Sequence, residues 1–306
     1  MMNRKEIAAL RTAAEQGEAR AQCQLGALHL TGEQDGISKD DKEALKWFRL
    51  AAEQGDAVAQ QNLGLLYYQG KGVPRNGPMA VKWFKLAAEQ GSVHAQYNLG
   101  VIYEAGKLVT ANPAEAVRWF RLAADKGNAH ARYHLGMSYR RGSGVTRNDA
   151  EAAQWLQRAA EQGHAHACYQ LGILFEGGHG VTKSLQSAVK WFRAAAEHRL
   201  PQAQFRLSRL YSEGKGVDRD DQEAARWCRL AAEQGYDVAQ QTLGCMLALG
   251  QGVSEDHIQA YMWLELAALQ GNTVAVERRG HLAEVMNSTR IAQAQAKARQ
   301  WKPSGR

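Results

Sequence analysis

No stretch of this 306-residue sequence approaches the ~18–20 consecutive apolar residues that a membrane-spanning helix needs, so no membrane span is expected. Cysteine is scarce. Cys23, Cys168, Cys228 and Cys245 occupy different slots of the repeating pattern, whereas a disulfide-stapled array would place cysteines at the same slot of each unit. Free thiols are therefore expected, although Cys228 and Cys245 could meet across a repeat boundary. Residues 1–20 carry scattered charge and lack the apolar core of a secretory signal. A cytoplasmic location is the expectation, with signal-independent secretion left open. A long basic stripe is missing too. Of the formal net charge of +7, the segment 270–306 holds +5, from seven Lys or Arg against two Glu, which leaves +2 for the rest. An extended nucleic-acid groove is not supported.

What is present is repetition. Trp47, Trp83, Trp119, Trp155, Trp191, Trp227 and Trp263 fall at 36-residue intervals. Gly26, Gly64, Gly100, Gly136, Gly172, Gly244 and Gly280 keep the same step, apart from a 38-residue first interval and Ser208 standing in once. Self-similarity at 20–50 residues is the signature of a solenoid, in which each unit buries its apolar face against its neighbours.

One unit shows the construction. Ala95, Leu99, Ile102 and Tyr103 recur at i, i+4, i+7 and i+8, one face of a helix A. Gly106 stands where a helix needs a left-handed residue after its end. Asn112-Pro113 supplies an N-cap followed by proline at the first helical position. Helix B is expected over 114–126, with Trp119 and Phe120 facing inward, and ends at Gly127. The Trp column reads as inter-helix core. The recurring turns Gly70-Lys71-Gly72-Val73, Gly142-Ser143-Gly144-Val145, Gly178-His179-Gly180-Val181, Gly214-Lys215-Gly216-Val217 and Gly250-Gln251-Gly252-Val253 lack the Gly-Lys-Ser end and the preceding strand of a phosphate loop. They read as helix-closing turns.

The pattern A-Q-x-x-L-G-x-x-Y, then G-x-G-V, then A-x-x-W-F-x-x-A-A-E-Q-G resembles the Sel-one-like repeat (SLR) family, a relative of tetratricopeptide repeats, over residues 17–271. The resemblance implies an all-α, right-handed superhelical solenoid of about seven 36-residue repeats. A single array is expected over 1–306, with an N-terminal capping helix at 1–17, repeats at 18–271, and capping helices with a short tail at 272–306. Departures are local. Leu108 replaces the second turn glycine in repeat three, Leu156, Cys228 and Leu264 replace the Phe after Trp, and His198-Arg199 replaces Gln-Gly. The first unit holds two extra residues within 32–37. Residues 4–16 read as an unpaired helix B, and 273–301 as a degenerate final pair broken at Met286-Asn287-Ser288.

The resemblance further implies binding rather than chemistry, in an adaptor or scaffold of a kind common in bacteria. In the related tetratricopeptide solenoids helix A lines the concave groove. By that analogy one inward column holds Arg20, Val58, His94, His130, His166, Gln202 and Val238, and a second holds Cys23, Gln61, Tyr97, Tyr133, Tyr169, Phe205 and Gln241. Three residues apart, the columns share a helix face. The candidate partner-binding residues are His94, Tyr97, His130, Tyr133, His134, Arg140, Arg141, His166, Tyr169 and Phe205, with the Tyr column open to packing or to ligand contact. Arg140 and Arg141, if inward, would favour an acidic or C-terminal carboxylate. His130 and His134 share i, i+4 spacing, but the sequence places no third ligand beside them, and no metal is expected. On helix B, Lys46/Arg49, Lys82/Lys85, Arg118/Arg121, Lys190/Arg193 and Arg226/Arg229 read as an outward stripe, with an acidic residue four after each second cation.

No catalytic constellation converges, so neither an enzyme nor a cofactor is expected. The leading reading is a monomeric protein–protein interaction scaffold that grips a peptide or helix in its groove. The alternatives are a secreted bacterial effector or regulator using the same surface, and nucleic-acid binding through the tail cations Arg278, Arg279, Arg290, Lys297, Arg299, Lys302 and Arg306.

Overall fold

The computed structural model of the chain describes residues 4–32 and 37–304 and divides into two compact units, Met1–Asn148 and Asp149–Arg306. The first three residues, the insertion expected within 32–37 and the last tail cation, Arg306, lie outside the described residues.

The first unit contains α1 (Arg4–Glu15), α2 (Ala19–Thr31), α3 (Asp41–Glu53), α4 (Ala57–Gln69), α5 (Gly77–Glu89), α6 (Val93–Ala105), α7 (Pro113–Asp125) and α8 (Ala129–Arg141). The second contains α9 (Asp149–Ala160), α10 (Ala165–Gly177), α11 (Leu185–Glu197), α12 (Pro201–Glu213) and α13 (Asp221–Glu233). It continues with α14 (Asp237–Leu249), α15 (His257–Leu269), α16 (Thr273–Glu284) and α17 (Ser288–Gln300). Even-numbered helices are the A elements and odd-numbered ones the B elements, and within each unit consecutive helices pack together, except that α17 lies on α15.

Local chemistry sets the boundaries. Asp40, Asn76, Asn112, Ser184, Asp220 and Asp256 each accept a hydrogen bond from a backbone N–H in the first turn of a helix B. Helix A elements α2 through α14 end on a left-handed glycine, as at Gly106. The Phe that follows Trp explains the glycine column. A Cβ on Gly100 would stand 2.5 Å from the Phe120 ring, and one on Gly172 would stand 2.7 Å from Phe192. Where Ser208 replaces that glycine, Cys228 replaces the Phe, and both side chains are buried. The smaller partner makes room for the larger one.

The second turn glycine stacks each loop on the preceding repeat. At Gly72 a Cβ would lie 2.2 Å from the carbonyl oxygen of Asp41, the first residue of the preceding helix B. Repeat three has Leu108 there, and the missing space is supplied from the other side. Its preceding helix B begins with Gly77, whose Cβ would meet the Leu108 carbonyl at 2.2 Å.

Six of the seven repeat tryptophans are buried, and Trp191 is half-buried. Beneath them runs a polar ladder. Gln22, Gln60 and Gln96 donate through Nε2 to the carbonyls of Ala14, Ala52 and Ala88 at 3.0–3.2 Å, and Gln204 and Gln240 do the same to Ala196 and Ala232. Each bond pins a helix A to the end of the preceding helix B. The glutamine before the glycine that ends the following helix B then donates to the first glutamine's Oε1. These bonds are Gln54 to Gln22, Gln90 to Gln60, Gln234 to Gln204 and Gln270 to Gln240, at 2.7–2.8 Å. Buried amides are tolerable only when satisfied in this way.

The ends differ from the repeats. Helix α1 is the expected solitary helix B, and residues 285–287 separate α16 from α17, one residue earlier than the expected break at Met286-Asn287-Ser288. Trp301 rests edge-on against Trp263, with ring centroids 5.8 Å apart, and Ser304 donates through N–H and hydroxyl to the Glu233 carbonyl at 2.7 and 3.0 Å.

Candidate functional site

The face of helix A is built from two adjoining slots, one exposed and one half-buried. In the first unit, α6 presents His94 to solvent and holds Tyr97 half-buried, while α8 presents His130 and holds Tyr133 half-buried. In the second unit, α10 presents His166 above half-buried Tyr169, and α12 holds Phe205 half-buried. The polar row is wet and the aromatic row forms a shelf against the core.

The first unit gathers these rings. Tyr97 lies 6.1 Å from Phe120 and 5.9 Å from both His130 and His134, between centroids. His134 stacks on Phe120 at 4.8 Å and meets Tyr133 edge-on at 5.5 Å. In the second unit Tyr169 lies 5.6 Å from Phe192, and Phe205 meets Tyr236 at 5.7 Å. Burial pushes the phenols of Tyr97, Tyr133 and Tyr169 above the usual tyrosine range. At Tyr133 the charges of Arg141 and Arg140 oppose that rise, and Glu104 adds to it. All three therefore stay protonated as donors at neutral pH. Arg140 is half-buried and Arg141 exposed.

Glu104, which the spacing of His130 and His134 did not suggest, places its Oε2 2.9 Å from His134 Nδ1. Thus His134 belongs to a contact between α6 and α8 rather than to an open surface. The same slots two repeats on hold Glu176 and Arg206, whose Nε donates to Glu176 Oε2 at 3.1 Å. A signal for these pairs was in the sequence: Glu104 and Glu176, like His134 and Arg206, stand two periods apart. Among the described residues no group of three His, Cys, Asp or Glu side chains is arranged to hold a metal ion.

Helix B spends its cations on the protein itself. Lys46, Lys82, Arg118, Lys190 and Arg226 lie over the adjacent Trp rings at 5.1–5.3 Å. In four of the five pairs the second cation turns to a tyrosine of the next helix A instead of the acidic residue four positions on, Lys85 by lying over the Tyr103 ring at 5.9 Å. Arg49 donates to the Tyr67 hydroxyl at 2.8 Å, and Arg121 and Arg193 donate to Tyr139 and Tyr211. The longer reach is favoured because the tyrosine hydroxyls sit part-buried beside the stripe, where a charged donor strengthens the bond. Of the tail cations, Arg279 is tied to Glu265.

All four cysteines are free, with Cys23, Cys168 and Cys228 buried and Cys245 half-buried. Burial pushes the Cys23 and Cys228 thiols up from 9.0 to about 12, and raises Cys168. None of these three buried thiols is a nucleophile in waiting. No helix among the described residues is long and apolar enough to cross a membrane.

Known proteins repeat this construction. Seven consecutive segments match the Sel1 repeat, at residues 19–56, 57–92, 93–128, 129–164, 165–199, 201–236 and 238–272. A Sel1 repeat protein from Oxalobacter formigenes is 39% identical, with 91% of this chain and 80% of that one covered and a TM-score of 0.78. The protective antigen c5321 of uropathogenic Escherichia coli strains, which displays an SLR fold, is 30% identical over 97% of this chain and 79% of that one, with a TM-score of 0.47. No curated protein sequence matches. An all-α architecture of copied helix pairs, with seven matched repeats and a close structural likeness, means that this chain belongs to the Sel1 repeat family.

Proposed function

We propose that this chain is a non-enzymatic adaptor whose helix A face grips a peptide or helix of a partner protein. Sel1 repeat proteins generally mediate protein–protein interaction and are typically non-catalytic. The observation that carries the reading is the two-row face of α6 and α8, with exposed His94 and His130 beside half-buried Tyr97 and Tyr133. Tyrosine offers large contact area with a polar handle at small entropic cost. His166, Tyr169 and Phe205 repeat the arrangement in the second unit, and Arg140 and Arg141 add positive charge near Tyr133. The opposite choice, the helix B face, is supported less well, because its cations are already engaged with Trp rings and Tyr hydroxyls.

The test replaces His130 and Tyr133 together with alanine and compares capture of partners from the native lysate with that of the wild type. Loss of capture at unchanged helicity is expected. Unaltered capture would remove the central face from the account.

A further inference from the structure

At two junctions of successive A helices, residues 30 apart stand opposite one another as an acid and a base. Glu104 lies 2.9 Å from His134 between α6 and α8, and Glu176 accepts from Arg206 between α10 and α12. At the same two slots of α14 and α16 the base is present as Arg278, but Ala248 stands in place of the acid. A cavity of about 270 Å³ opens at that place, lined by both residues. Neighbouring groups do not supply the missing carboxylate. Arg279 takes up Glu265, and Glu255 lies 3.1 Å from His257. Among the described residues neither Arg278 nor His281, which also lines the cavity, has a side-chain hydrogen bond or ion pair.

The walls beside this cation are apolar. Leu264 and Leu282 are buried, whereas Leu249 is 75% and Val285 68% exposed, so two large aliphatic side chains stand at the rim in water. Exposed apolar side chains grouped around a cleft mark a contact surface. Two such side chains cannot supply the roughly 800 Å² per partner that a stable dimer buries, which argues against a second copy of this chain as occupant. The volume also falls below the ~300–1,000 Å³ of a typical small-molecule pocket and suits side chains presented by a peptide.

We propose that this cleft between α14, α15 and α16 binds an acidic side chain of a partner protein, a glutamate or aspartate flanked by a bulky apolar residue. The partner's carboxylate completes the pair that the repeat leaves open at Arg278, and the apolar neighbour covers Leu249 and Val285. In effect the partner supplies what Glu104 and Glu176 supply within the chain. The site uses none of the residues of the central face and stands even if that face binds nothing.

The experiment is fluorescence anisotropy with the full chain and three pools of labelled dodecapeptides, randomised except for a central Leu-Glu, Leu-Gln or Ala-Glu pair. The Leu-Glu pool should bind about tenfold more tightly than either other pool, the loss expected of one charge-assisted hydrogen bond or one buried aliphatic contact. Ala248→Glu, which recreates within the chain the pairing of the earlier repeats, should keep full helicity and abolish the preference. Arg278→Gln should do the same. Equal binding of the three pools, a preference that survives Ala248→Glu, or no binding of any pool at millimolar protein would each overturn the proposal.

Discussion

Lys126 interrupts the glutamine ladder, and replacing it should stabilise the protein. At Gln54, Gln90, Gln234 and Gln270 the glutamine that ends helix B donates to the Oε1 of the buried glutamine in the preceding helix A. At position 126 the side chain is lysine, whose Nζ donates to the Gly91 carbonyl at 2.8 Å, and Gln96 Oε1 is left buried without a partner. Gln90 shows what a glutamine does in the equivalent place, donating both to the Gly55 carbonyl at 3.0 Å and to Gln60 Oε1 at 2.8 Å. Lys126→Gln should therefore keep the bond to Gly91 and add one to Gln96. A buried unmet acceptor costs ~1–3 kcal/mol and a neutral bond contributes ~0.5–1.5 kcal/mol net. Against this stands the loss of an exposed charged donor, so a net gain of about 1 kcal/mol is expected. Arrays need not unfold in one step, so the readout is native-state hydrogen exchange of α6 and α7. Protection there should rise about fivefold. In a Gln96→Leu background the gain should vanish, which isolates the pair. Unchanged protection, or a gain that persists without Gln96, would refute the ladder as a source of stability.

Gly100→Ala should destabilise by ~1–3 kcal/mol, because its Cβ would press on Phe120 at 2.5 Å. Adding Phe120→Cys, after the Ser208/Cys228 pair, should make the two changes less costly than their sum in thermal melts. Thiol labelling of the native protein at pH 8 should modify Cys245 first, because the buried thiols have pKa values raised above 9.0. Since the folded state holds those protons more tightly than the unfolded chain, stability should be flat below pH 9 and fall as pH rises from 9 toward 12, visible in urea midpoints. A midpoint that rises over that interval would contradict the burial of these groups.

The fold was legible because its determinants are local and copied. One period carried the cap at Asn112, the left-handed Gly106, the Trp119-Phe120 face and the small Gly100, and each was placed as read, with helix B beginning one residue earlier than expected. Trp191 is more exposed than its column suggests. What the sequence concealed were relations between repeats. The move of glycine from position 108 to 77 and the exchange of Gly-Phe for Ser208-Cys228 become visible only when opposing surfaces are brought together. The same holds for the face of helix A. Position along α6 and α8 could be read from spacing, but the pairing of His134 with Glu104 depends on how two helices 30 residues apart lean together. Likewise Arg49 and Arg121 were assigned to carboxylates in their own helix, and they reach tyrosines of the next helix instead.

On the proposed function, partners meet the helix A face and not the helix B face. A photo-crosslinking amino acid placed at His94 or His166, both exposed on helix A, or at Leu122, exposed on helix B, tests it directly in native lysate. One and the same partner adduct is expected from His94 or His166 and none from Leu122. Adducts from Leu122 alone would contradict it.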